Sequence, residues 1–315
     1  MIDPIFAADI LEGLSSNPKK LSSRWFYDEI GDELFQQIMA MPEYYLTRAE
    51  YSILQKDSKE LIQQLPSNFQ LVELGAGDGI KTKLLLKEIF RSKHSVKYFP
   101  IDISANALNK LNNSLQIEYP NLETEGIQAE YFTALKSTVL NSETRKLILF
   151  LGSNIGNLNH EQALEFYKQL FGSINPGDFV FTGFDRVKDP NRILLAYNDN
   201  SGITAKFNLN LLNRINKELD ANFDLNAFYH QPEYNSEMKA AVSFLVSKTD
   251  QIVHLKMIDK RVEFKSNERI HTEISRKFTL EDIQELAVNS GFRMIKNYHS
   301  ENDEFTDSLW QKPEN

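Results

Sequence analysis

"LVELGAGDGIKTKLLL", residues 71–86, is an apolar run that breaks into three glycines and resumes as a helical pattern. A buried strand that enters a glycine turn and leaves as a helix is the unit from which parallel α/β sheets are wound. In such sheets the ligand lies beyond the carboxyl ends of the strands, so Gly75, Gly77 and Gly79 mark a candidate binding turn. A purely structural strand-to-helix turn is the plainer alternative.

Outward from this turn the pattern repeats. "QLVEL" (70–74), "KYFPIDI" (97–103), "GIQAEYF" (126–132), "KLILFLG" (146–152) and "DFVFTGFD" (178–185) read as strands. Amphipathic stretches such as "SANALNKLNNSLQIEY" (104–119) and "NHEQALEFYKQLFGSI" (159–174) lie between them and read as helices. Strands interleaved with helices predict an open, mostly parallel α/β sheet. Upstream, residues 26–64 read as two helices separated by "MPEYYLTRAE", with Thr47 as N-cap of the second. Downstream of a helical stretch at 203–219, the segments "AAVSFLVS", "QIVHLKMI", "KRVEFKS" and "RIHTEISRKF" fit a small antiparallel sheet, with "SKTDQ" and "KSNER" as turns. A last helix, "TLEDIQELAVNSG", and two strands, "RMIKNYHS" and "FTDSLWQK", finish the far edge of the first sheet. Two domains are therefore expected. Residues 50–185 with 278–315 form the α/β domain, and residues 1–49 with 186–277 form an α+β domain of N-terminal helices and the inserted sheet.

Bulk properties narrow the class. A chain of 315 residues, 41% hydrophobic and 25% charged, belongs with globular proteins, and its net charge of −9 argues against nucleic acid or an anionic membrane as partner. No apolar run approaches the ~18 residues that span a bilayer, and "MIDPIFAADILEGL" lacks the basic and apolar regions of a signal peptide. A cytoplasmic monomer is expected. With no cysteine there is no thiol nucleophile or thiolate ligand. The six histidines, at 94, 160, 230, 254, 271 and 299, show no metal-ligand spacing, so no metal is expected.

The glycine spacing bears on the cofactor. A dinucleotide turn needs its third glycine five residues after the first, where Ile80 stands here; the glycine comes one place early. Glu73 gives the turn an acidic entrance, which suits a ligand with an ammonium group and no pyrophosphate. S-adenosylmethionine is such a ligand. Asp102, closing the next strand in "FPIDIS", can accept ribose hydroxyls from either cofactor, so it supports a nucleoside without choosing. The turn favours adenosylmethionine over NAD.

Several separate stretches then become familiar together. "RWFYDEIGDELFQQI", "PEYYLTRAE", "LVELGAGDGIKT", "FLGSNIGNL", "VKDPNRILLAYND", "GITAKFNLNLLNRINKELDANFD" and "TEISRKF" occur in this order from about residue 20 onward. The set resembles the L-histidine Nα-methyltransferases of ergothioneine biosynthesis. The resemblance implies a Rossmann-like class I SAM-dependent methyltransferase domain with a second, substrate-binding α+β domain. It implies transfer of methyl groups to the histidine α-amine, giving the trimethylated betaine hercynine.

The resemblance also implies site residues. Gly75, Lys81, Asp102, Glu130 and Tyr131 would bind the cofactor; the last two replace an Asp-Phe pair of the family. Gly152 and Asn157, in "LGSNIGN", would meet the amino acid moiety of the substrate, with Tyr197 on its carboxylate. Tyr27 and Tyr44 would lie near the amine and the imidazole, and Phe35 and Phe207 would wall the same site. Catalytic roles fall to Tyr27 and Asn157. Glu273 and Ser275 would grip the imidazole.

The chemistry of this last pair fits the role that the resemblance implies for it. Residues two apart on a strand face the same side, and a carboxylate with a hydroxyl can bond both nitrogens of an imidazole. An apolar ring would leave the carboxylate unpaired, so the pair selects histidine. The plainer reading is a Glu273 ion pair with a neighbouring Arg or Lys. His271 would face the same side as Glu273. Ser243 stands where the family carries a methionine beside the imidazole, which points to a wider or wetter pocket. That departure motivates a second reading, N-methylation of another aromatic amino acid or amine, although Glu273 argues against an indole-bearing substrate. A nicotinamide-dependent oxidoreductase rests only on the Rossmann-like turn and fails on glycine spacing. A non-catalytic adenosylmethionine-binding module is the remaining alternative.

Overall fold

The computed structural model describes residues 3–314. Pro4 opens α1 (Pro4–Ser15) in the turn where its missing N–H is no loss, and Asp3 caps that turn by accepting from the amides of Ile5 and Phe6. A short strand β1 (Lys19–Lys20) and a 3-10 turn (Ser23–Phe26) lead to α2 (Glu29–Ala40), which Asp28 caps through the Gly31 amide. α3 (Tyr45–Gln63) follows. Thr47 is not its N-cap but lies inside its first turn. The helix starts earlier because Tyr45 is buried and anchored, its hydroxyl donating to the Asp185 carboxylate at 2.8–2.9 Å.

β2 (Asn68–Leu74), α4 (Thr82–Arg91), β3 (Ser95–Asp102) and α5 (Ala105–Glu118) then alternate as the pattern predicts. "GIQAEYF" departs from its expected strand. After the equally short β4 (Glu123–Thr124), only β5 (Ile127–Gln128) is extended, and Tyr131 opens a one-turn helix α6 (Tyr131–Ala134). The cause is Glu130, whose carboxylate accepts the Thr133 amide and so acts as an N-cap. β6 (Lys146–Phe150), α7 (His160–Ser173) and β7 (Phe179–Asp185) come next, and both strands are buried at every position, as strands covered on both faces are. The chain continues through α8 (Pro190–Tyr197), α9 (Ile203–Leu219), β8 (Phe228–Asn235), β9 (Ala240–Ser247), β10 (Gln251–Leu255), β11 (Lys260–Phe264) and β12 (Arg269–Arg276). α10 (Leu280–Asn289), β13 (Arg293–His299) and β14 (Phe305–Gln311) complete the order.

The chain divides into two compact units, one made of residues up to Tyr44 with Lys188–Ser275, the other of Tyr45–Val187 with residues from Arg276 onward. The second unit is built on an eight-stranded sheet of order β13-β14-β7-β6-β2-β3-β4, with β5 also on β3. Its inner strands are parallel, and β14 runs antiparallel between β7 and β13. β3 lies on one side of β2 and β6 on the other, so the winding reverses between β2 and β6, the place where such sheets bind ligands. Val72, Ile148 and Val180 of the sheet pack with Phe166 and Leu170 of α7 and with Ile283 and Leu286 of α10.

The first unit carries a four-stranded sheet, β1-β12-β9-β8, in which β1 runs parallel to β12 and β8 antiparallel to β9. β10 and β11 pair only with each other, so the single insert sheet expected from sequence is two sheets. β8 was not among the expected strands. It carries Pro232, which a sheet tolerates at an edge, and β8 is an edge strand. Phe207, Leu211 and Ile215 of α9 form a core with Phe6, Trp25, Leu245 and Ile270. Phe6 and Trp25 meet edge to face at 5.0 Å, an arrangement worth about 0.5–1.5 kcal/mol beyond its buried area.

Candidate functional site

In the second unit the glycine turn leaves β2 with Gly75, Gly77 and Gly79 all at positive φ. The amides of Gly75 and Ala76 both donate to the Ile101 carbonyl at the end of β3 (2.8 and 3.1 Å), which fixes the mouth of the turn. A Cβ on Gly75 would stand 2.8 Å from Asn154 Nδ2 and 3.1 Å from Tyr131 Oη, so this position is kept open between two polar groups. Asp102 is half-buried. Its carboxylate accepts the Gly77 amide through one oxygen and the Ser104 amide through the other, both at 2.9 Å. Two amides thus orient it, with acceptor capacity left for a diol.

Glu73 does not form an acidic entrance to this turn. It is buried on β2, accepts the Thr82 hydroxyl at 2.6 Å and is bonded to the Tyr98 hydroxyl. Burial pushes its carboxyl up to about 7, against the pull of those two hydroxyls. Buried and engaged by two hydroxyls, Glu73 presents no carboxylate to a ligand at the turn.

Lys81 begins α4 and forms an ion pair with the buried Glu50 of α3. Burial alone would lower the ammonium pKa; the Glu50 carboxylate outweighs it and holds it above the usual lysine value. Gly152, after β6 at φ +77°, donates its amide to both Glu50 oxygens at 2.9 Å. Asn154 opens the 3-10 turn that Asn157 ends, and Asn157 is half-buried there. Tyr131 packs edge-on against Phe150 at 4.9 Å, while the Glu130 carboxylate is engaged by the Thr133 amide. The structure therefore gathers Gly75, Tyr131, Lys81 and Gly152 at the ends of β2 and β6, with Asp102 at the neighbouring turn.

In the first unit the aromatic residues form a connected series. Tyr27 meets Phe35 at 5.6 Å and Phe207 at 5.9 Å; Phe35 meets Tyr44 at 6.4 Å; Tyr44 meets Tyr197 at 6.5 Å. The Tyr197 hydroxyl donates to Ser275 Oγ at 2.7 Å, which links the series to β12. Glu273, half-buried on the same strand, lies 3.4 Å from the hydroxyl of buried Ser243 on β9. Thr272, on the opposite face, bonds Asn208 and the Ser243 carbonyl, which fixes the register of the two strands. His271 stacks edge-on with Phe244 at 5.5 Å. Burial pushes the His271 pKa down.

Glu50, Asn154 and Asn208 are among the polar residues of these arrangements to which the sequence assigns no role. Glu50 and Asn154 lie in the quoted "PEYYLTRAE" and "FLGSNIGNL", which was the only signal for them. Among the described residues, no group of His, Cys, Asp and Glu can hold a metal ion, and no helix is long and apolar enough to cross a membrane.

A family model described as "Histidine-specific methyltransferase, SAM-dependent" matches residues 6–312. A histidine N-alpha-methyltransferase of Mycolicibacterium smegmatis is 37% identical over 285 residues, 90% of this chain and 88% of that protein. Ergothioneine biosynthesis protein 1 of Neurospora crassa is 30% identical over 287 residues, 89% of this chain but 32% of that longer protein. Among solved structures, a Synechocystis magnesium protoporphyrin IX methyltransferase with bound SAH aligns with a TM-score of 0.51 over 92% of this chain and 97% of its own, at 9% identity.

Proposed function

The chain belongs to the SAM-dependent histidine-specific methyltransferase family, and on that premise we propose that it methylates the α-amine of L-histidine three times, to a trimethylammonium betaine. The family resemblance read from seven segments is the family found, and the cofactor is S-adenosylmethionine. The second unit has the Rossmann-like fold of class I SAM-dependent methyltransferases. When bound, the cofactor supplies a methyl group already activated on a sulfonium. Asp102 is the acceptor for its ribose, and the open position at Gly75 with Lys81 takes its methionine end.

This chain supplies no nucleophile. Its residues must hold a neutral amine in line and exclude water. The aromatic series Tyr27–Phe35–Tyr44–Tyr197 suits both tasks, because phenol rings attract a cation as it becomes quaternary. Counted from the α-ammonium, one proton would leave the nitrogen before each transfer, three in all, so that the amine held in line is neutral each time and the product keeps a single positive charge. The observation that carries histidine as acceptor is the pair on β12. Glu273 and Ser275 share a face, and Ser275 is tied to Tyr197 at the end of the aromatic series.

The reading is tested by mass spectrometry of an amino-acid panel incubated with S-adenosylmethionine. Histidine should gain one, two and then three methyl groups. Glu273→Gln should raise the histidine KM about ten- to a hundredfold, the effect of losing a charged hydrogen bond, with a smaller change in kcat. Unchanged histidine kinetics would remove Glu273 from the site. Ser243 favours the second reading, another aromatic amino acid or amine, since a small buried hydroxyl beside Glu273 leaves room that a methionine would fill. Faster turnover of such an acceptor than of histidine would decide for it.

A further inference from the structure

The motif "PEYYLTRAE" contributes one fully buried carboxylate, and its partners are Lys81, beside the glycine turn, and the Gly152 amide, in the turn after β6. We propose that Glu50 is a positioning residue for the methyl donor, holding Lys81 at the start of α4 and the Gly152 amide after β6 in a single geometry. It rests on S-adenosylmethionine being the cofactor and needs no assumption about the acceptor.

The geometry is convergent. Glu50 Oε2 pairs with Lys81 Nζ, both oxygens accept the Gly152 amide at 2.9 Å, and Lys81 Nζ lies 3.3 Å from where a Cβ on Gly152 would be. Gly152 and Ser153 are consecutive residues at positive φ, +77° and +56°. A left-handed serine is strained and persists only where its surroundings impose it. Glu50 is one such constraint, through the Gly152 amide; further ones are the Ser153 hydroxyl, which accepts the Asp185 amide at 2.9 Å, and the Ser153 carbonyl, which accepts the Gly156 amide at 2.8 Å.

A second carboxyl completes the arrangement. Asp307 of β14 sits opposite Gly183 of β7 in the sheet, and a Cβ on Gly183 would stand 2.1 Å from Glu50 Oε1 and 3.1 Å from Asp307 Oδ1. Both carboxyls are buried over one glycine, and like charges so placed are not both ionised. Burial, then the Glu50 charge, raise the Asp307 pKa well above the carboxylate range. Of the two, Asp307 is the carboxyl that gives up charge, while the Glu50 carboxylate stays in its ion pair with Lys81. Gly183 is needed for this contact; a methyl there would collide with Glu50.

The test is calorimetric binding of S-adenosylhomocysteine to the full-length protein, read without any acceptor. A wrong assignment of histidine therefore leaves it intact. Glu50→Gln should weaken binding about tenfold or more, the scale of one charged hydrogen bond. Asp307→Asn, an amide in place of an acid that is already neutral, should change Kd by less than about threefold. If Glu50 acts through Lys81, Glu50→Gln in a Lys81→Met background should add almost nothing. Unchanged affinity in folded Glu50→Gln, or an Asp307→Asn loss as large as that of Glu50→Gln, would overturn the proposal. Should Glu50→Gln not fold, Glu50→Asp retains the charge one methylene short; weakened affinity supports the role and wild-type affinity refutes it.

Discussion

Glu73 lies beneath the glycine turn with two hydroxyl groups as partners and a pKa of about 7. In the unfolded chain its pKa returns to the ordinary 4.5. A raised folded pKa stabilises the protein fully below the unfolded value, and that contribution is lost as pH rises through the folded value. Between about pH 4.5 and 7 this residue alone should therefore cost stability on the order of 3 kcal/mol. Glu73→Gln, which cannot ionise, should unfold at a higher temperature than the parent at pH 8 and at nearly the same temperature at pH 5. Thermal melts at the two pH values check this, and equal differences at both would show that the charge is not buried. Asp102 and the glycines could be read from the sequence because a strand end and a turn have few alternatives. The environment of Glu73 could not, because a strand buried on both faces hides its acids as well as its aliphatics.

At the scale of elements, caps decide what periodicity leaves open. α7 begins with a reciprocal capping box, in which Asn159 accepts the Gln162 amide at 2.9 Å and Gln162 accepts the Asn159 amide at 3.0 Å. Asn159→Ala should cost about 1 kcal/mol, seen as a lower urea midpoint with unchanged slope. The same device explains the failed strand at "GIQAEYF": Glu130 as N-cap turned a β-like composition into a helical turn. β8 went unread because Pro232 masks an edge strand. Most strands of the main sheet were legible, since parallel strands are continuous apolar runs. The pairing of β10 with β11 alone was not, because partner choice between short amphipathic strands is set by contacts that sequence order does not encode. On β12 the shared face of Glu273 and Ser275 followed from period two, whereas the tie from Ser275 to Tyr197 needed coordinates.

At the scale of the whole molecule, the sheet that carries the glycine turn is interrupted in sequence by Lys188–Ser275 and closed by β13 and β14. β7, buried at all its positions, has β6 on one side and β14 on the other. A chain stopped after Lys277 keeps β7 but loses the strand that covers it, and should partition into the insoluble fraction where the full chain stays in solution. Sedimentation of the two after parallel expression checks this. The same feature sets a timetable. At roughly 5–20 residues per second, a ribosome needs on the order of ten seconds between completing β7 and completing β14. Through that interval β7 has no partner on its β14 side and the nascent sheet lacks Asp307, so Glu50 waits for its buried neighbour until the last strand of the chain is made.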